Sequence, residues 1–128
     1  MEEILRNAHK HMAEYIKQFY SDDKDEMLGI VTKEEHTSYV TKNCRDLAKH
    51  LQLCEHDVLL AELIGLWHDI GRFRQWQVYH TFVDANSEDH ANLGLKVIVD
   101  LPLFKKLDVK DQEILLFAIG NHNKKEIA

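Results

Sequence analysis

Proline occurs once and glycine five times in 128 residues. Residues that break helices are scarce, which disfavours a turn-rich β-architecture. Cysteine occurs twice, at Cys44 and Cys54, too few for a disulfide framework. Basic residues are outnumbered, with Lys+Arg 16 against Asp+Glu 22 and a net charge of −6. The chain therefore lacks the positive surface that counterion release on nucleic acid requires. Its longest apolar stretch, Val58 to Trp67, contains Glu62 and is short of the ~20 residues that cross a bilayer. The opening MEEILRNAHKHM has no apolar secretory core. These absences lead us to expect a cytoplasmic chain with neither nucleic acid nor membrane as a partner.

What is present is a globular balance of 45% hydrophobic and 30% charged residues, long enough for one domain over residues 1–128. No repeat or low-complexity segment is visible, and no segment alternates with a period of two. Five helical segments are expected. Residues 3–20 carry Leu5, Ala8, Met12, Tyr15, Ile16 and Phe19 on one stripe. After the polar break at 21–25, a helical turn is expected through Met27 and Leu28. A second long helix is expected from Thr32, which with Glu35 reads as a capping box, to about Leu51. Its inward stripe is His36, Val40, Asn43/Cys44, Leu47 and Leu51. The third, about Glu55 to Asp69, is apolar nearly all round and therefore central, with Gly71 as its stop. Residues 71–86 read as a long irregular connection. The fourth starts near Ser87, carries His90, Leu93, Gly94, Val97 and Leu101, and ends at Pro102. The fifth starts near Asp108 and carries Ile114, Leu115, Ala118, Ile119 and His122. The fold class is all-α, a compact single-domain bundle of about five to six helices.

Nine histidines are the unusual feature. His36, His68, His90 and His122 each fall on the apolar stripe of a different helix, and Asp69 follows His68 directly. Burying an imidazole without a partner costs roughly 1–3 kcal/mol, so four in one small domain need something to collect them. Neutral imidazoles and a carboxylate are natural ligands of a divalent transition metal. Taken singly, each is more ordinarily a core or boundary histidine; the convergence favours the metal. His9, His11, His50 and His56 read as surface or structural. His80, in the long connection, has the same reading over a place in the pocket.

His36, followed on the next helix by His68-Asp69 in LWHDIGR, resembles the HD-domain metal-dependent phosphohydrolase superfamily, over residues about 30 to 128. The resemblance implies an all-helical fold and one or two divalent ions of Fe, Mn, Co, Ni or Zn. It implies a first ion on His36, His68 and Asp69, and a second on His90 and His122 with Asp69 bridging. Arg72 matches a basic position that meets substrate phosphate, a role the guanidinium fork suits. His68, Asp69 and Arg72 are thus the expected catalytic residues. The implied reaction is hydrolysis of a phosphate ester of a nucleotide or related small molecule by metal-activated water. Such members carry a last metal-binding aspartate on a helix beyond His122, and none of the acids after Asp69 stands there. The chain is therefore expected to be truncated at its C-terminal end. A metal- or nucleotide-binding module without turnover is the alternative.

A bundle lacking its covering helix exposes an apolar face, which self-association closes. Analytical ultracentrifugation is expected to give a homo-oligomer at micromolar concentration; a monomer would refute this.

Overall fold

Helix formation begins at residue 2. In a computed structural model, residues 1–123 are described. They form α1 (Glu2–Lys17), α2 (Lys24–His50), α3 (Glu55–Trp67), α4 (Gly71–Tyr79), a 3₁₀ turn (Asp84–Asn86), α5 (His90–Ile98), α6 (Pro102–Lys105) and α7 (Val109–Asn121). Six helices have nine residues or more, and α6 is a single turn opened by Pro102. No strand occurs among the described residues, and the chain is all-α as expected. No helix among them is long and apolar enough to cross a membrane.

The apolar helix α3 lies at the centre, against α1, α2 and α7. Leu60, Leu63, Leu66 and Trp67 of α3 join Leu5, Ala8, Met12 and Ile16 of α1 in the core, with Leu115 and Ile119 of α7. The α1 stripe is as the spacing predicts, with Tyr15 and Phe19 packed at its margin. The α7 start is also as predicted: Asp108 caps it, accepting from the Asp111 amide at 2.8 Å.

Three expectations are corrected. First, α2 begins eight residues before Thr32, at Lys24. Asp23 is its cap, accepting from the Glu26 amide at 2.9 Å, and Asp25 and Glu26 complement the dipole of the first turn. Thr32 is interior, with its hydroxyl donating to the Leu28 carbonyl at 2.7 Å. The buried face is Gly29, Ile30, Thr37, Thr41 and Ala48, whereas Leu47 and Leu51 are exposed. Small side chains win this face because α3 comes so close: a Cβ on Gly65 would lie 3.0 Å from the Thr41 Cα.

Second, Gly71 does not stop a helix. α3 ends at Trp67 and Gly71 opens α4, so most of the expected irregular connection is helical. Gly71 is needed for close approach and not for a left-handed turn, since no glycine has positive φ. Its absent Cβ would lie 2.2 Å from the His90 carbonyl oxygen and 2.5 Å from the Gly94 amide nitrogen. The left-handed residues are Gln52, at φ 58°, and His80, the α4 C-cap at φ 54°. Third, α5 starts at His90 and is capped by Asp89, not by Ser87, and ends at Ile98.

Gly71→Ala is expected to destabilise the protein by at least about 2 kcal/mol in urea unfolding, because backbone atoms cannot swing aside as side chains do. Gly94→Ala is the control. Its Cβ would meet Gly71 at an ordinary 3.5 Å, so stability should stay within about 1 kcal/mol of wild type.

Candidate metal centre

Four segments meet where α3 gives way to α4. α2 supplies His36, the turn after α3 supplies His68 and Asp69, α5 supplies His90 as its first residue, and His122 is the C-cap of α7. The Asp69 carboxylate, with 5% of its side chain exposed, is the centre. Its Oδ2 lies 3.3 Å from His36 Nε2 and 3.3 Å from His68 Nε2. Its Oδ1 lies 3.4 Å from His90 Nε2 and 3.3 Å from His122 Nε2. The two oxygens thus serve two lobes, His36 with His68 and His90 with His122, each able to hold an ion with Asp69. All five residues expected from the sequence are brought together. His90 and His68 are buried, while 45% of the His36 side chain is exposed and forms the open side.

The outward nitrogens determine what the inward ones can do. His68 Nδ1 faces the Gly65 carbonyl at 2.7 Å, and His122 Nδ1 faces the Ile119 carbonyl. A carbonyl only accepts, so both Nδ1 atoms carry hydrogen and donate. His90 Nδ1 lies 3.0 Å from both Asp84 oxygens and donates likewise. In the neutral rings, each Nε2 then presents a lone pair to the Asp69 carboxylate. His90 Nε2 and His122 Nε2 are only 2.8 Å apart. Three lone pairs aimed at an anion repel one another unless a cation lies among them. The donor chemistry therefore fits a divalent ion, and the outer partners are those that orient metal-binding imidazoles.

Titration follows the same contacts. Burial pushes the Asp69 carboxyl up, but when His122, His68 and His90 are protonated and donate from Nε2 they outweigh it and hold the group well below the usual carboxylate range. Burial lowers the His122 imidazole, yet Asp69 and the Ile119 carbonyl raise it further than burial lowers it. His36 is lowered, chiefly by burial, with Asp69 only partly compensating.

Arg72 lies beside the cluster, with its NH1 engaged. Its NH1 donates to Gln75 Oε1 at 2.9 Å, the Phe82 carbonyl at 2.8 Å and Asp84 Oδ1 at 3.4 Å. Its Nε, 4.0 Å from Asp69 Oδ1, is buried without a partner. The remaining histidines are elsewhere. His9 pairs with Glu62 and His56 with Asp111, each at 2.7 Å, tying helices together. His11 stacks on Tyr15, His50 is exposed, and His80 packs against Trp76, outside the centre.

Two residues were missed from sequence. Lys33, one turn before His36, sits 4.7 Å above the Phe82 ring with no ion-pair partner among the described residues. Burial lowers its pKa, Arg72 adds to that, and Asp69 opposes it. Its signal was the i, i+3 spacing to His36, which puts both on one face. Asp84, in the 3₁₀ turn, offered no periodic signal. The last acid of the chain, Glu126, and the position of a final aspartate lie outside the described residues.

A model of the HD domain family matches residues 34–128. No curated protein and no solved structure matches the chain.

Metal uptake is expected to register as thermal stabilisation. An ion at a hundred times its dissociation constant adds about 2.7 kcal/mol to the folded state, a Tm rise of roughly 10 °C at this size. Manganese, cobalt or zinc should raise Tm in wild type and leave Asp69→Asn unmoved.

Proposed function

The chain belongs to the HD domain family, and on that footing we propose that it is a metal-dependent phosphohydrolase. Its substrate class is a phosphate ester of a nucleotide or related small molecule. The observation that carries this reading is one buried carboxylate facing two imidazoles with each of its oxygens. His36, His68 and Asp69 would hold one ion, and Asp69, His90 and His122 a second. A divalent ion supplies Lewis acidity, which polarises a phosphoryl oxygen and makes water a better nucleophile near neutral pH.

The chain's own groups have defined parts. Asp69, kept ionised by its neighbours, supplies the negative charge that joins the two lobes. His68 and His122 keep their orientation through Nδ1 hydrogen bonds to their own helices. Lys33, which has no ion-pair partner among the described residues, would meet substrate phosphate from the open side, where charge grows as the phosphoryl group transfers. Arg72 adds charge beside Asp69 while bracing the turn at Asp84. The partner is a small phosphorylated molecule, with no nucleic acid or membrane required, and the protein acts as a homo-oligomer in the cytoplasm.

A second reading, metal or nucleotide binding without turnover, draws on one observation. Asp69 is the sole carboxylate in the two lobes among the described residues.

Turnover of a panel of phosphomonoesters and phosphodiesters with added manganese separates the two. The enzyme reading expects activity in wild type and a loss of at least about 100-fold in His68→Ala. It also expects Lys33→Ala to raise KM more than it lowers kcat. Equal background in wild type and His68→Ala would leave the module reading.

A further inference from the structure

His68, His90 and His122 obtain their outward hydrogen bonds in two different ways. His68 and His122 stand at helix C-termini and donate Nδ1–H to the carbonyl three residues earlier, Gly65 and Ile119. Those carbonyls belong to the last turn, where oxygens are left without an i+4 amide; the Ile119 carbonyl also accepts the His122 amide at 3.3 Å. The tautomer is thus set by the helix end itself. His90 is the first residue of α5, and the carbonyls there point into the helix. Its Nδ1 needs an acceptor from another segment, and Asp84 provides it, at 3.0 Å to each oxygen.

Left without that acceptor, the ring has a ready alternative. A hydrogen on Nε2 would find His122 Nε2 at 2.8 Å and Asp69 Oδ1 at 3.4 Å. That internal hydrogen bond would fill the lobe with a proton and remove the lone pair an ion needs. Asp84 is itself held from several sides. It accepts from Gln75 Nε2 at 2.8 Å, Arg72 NH1 at 3.4 Å, the His90 amide at 3.3 Å and Asn123 Nδ2 at 3.3 Å. Gln75 is fully buried.

We propose that Asp84 is the positioning residue of the His90–His122 lobe, holding His90 as the Nδ1–H tautomer so that Nε2 stays open to a metal ion. The proposal rests on the metal reading above only for its second consequence. The tautomer itself is a property of the metal-free chain. The His36–His68 lobe does not touch Asp84, so the two lobes should respond differently to its loss.

The test uses the full chain with ¹⁵N-labelled histidine, metal-free and mildly alkaline, with the ring nitrogens read by long-range ¹H–¹⁵N correlation. Wild type is expected to show His90 protonated on Nδ1, and Asp84→Asn to show the hydrogen on Nε2. Manganese titration should then give wild-type affinity for one ion and at least about 10-fold weaker binding of the second. Gln75→Ala disturbs the same hub without touching His90; it should keep the wild-type tautomer, whereas a merely architectural Asp84 predicts that both variants behave alike. Should Asp84→Asn not fold, the wild-type spectrum and Asp84→Glu, which keeps the carboxylate and should keep the tautomer, decide. An Nε2 hydrogen on His90 in wild type, or an unchanged tautomer in Asp84→Asn, overturns the proposal. Wild type that takes up no manganese overturns the metal reading, while the tautomer still judges Asp84.

Discussion

The Asp69 carboxylate is the point on which the rest of the molecule is organised. A buried anion is costly unless charge or hydrogen bonds surround it, and Asp69 has imidazoles from four segments around it. Its place in the turn between α3 and α4 follows from two packing facts. α3 is apolar on every side and runs through the centre, so its end lies deep. Gly71 lets α5 approach α4 backbone to backbone, which brings His90 to the carboxylate. The chemistry of the centre and the geometry of the bundle are therefore one constraint.

Much of this was legible beforehand, for reasons that differ by element. α1 and α7 were readable because an apolar stripe and, for α7, the Asp108 cap agree. His68 and His90 were readable because helical phase places each inward, and Asp69 because it follows His68; His36 and His122 reach the carboxylate from more exposed positions than an inward stripe implies. α2 was misread at its start because Thr32 and Glu35 imitate a cap, while Asp23 is the residue that caps. Its inner face was misread because hydrophobicity pointed to Leu47 and Leu51. Close packing on α3 selected threonine and alanine instead. Gly71 was misread because a glycine after a helix resembles a C-cap, whereas here the missing side chain admits another backbone.

The site was less legible in its outer ring. Imidazole nitrogens facing outward depend on partners that sequence periodicity does not mark. Gly65 and Ile119 enter through their carbonyls, so their side-chain identity carries no signal. Asp84 lies in a short 3₁₀ turn where no repeat predicts direction. Arg72 was placed correctly beside the cluster, but its hydrogen bonds to Gln75, Phe82 and Asp84 give it a bracing part that its motif position does not reveal.

The residues around Asp69 are dispersed along the chain from His36 to His122. Closing such long loops costs entropy before any contact rewards it. The centre is complete only when α7 has docked against α3 and α5. The His36–His68–Asp69 half draws on residues 36 to 69, whereas the other half draws on residues out to His122. The two halves of the centre thereby differ in the length of chain each must close.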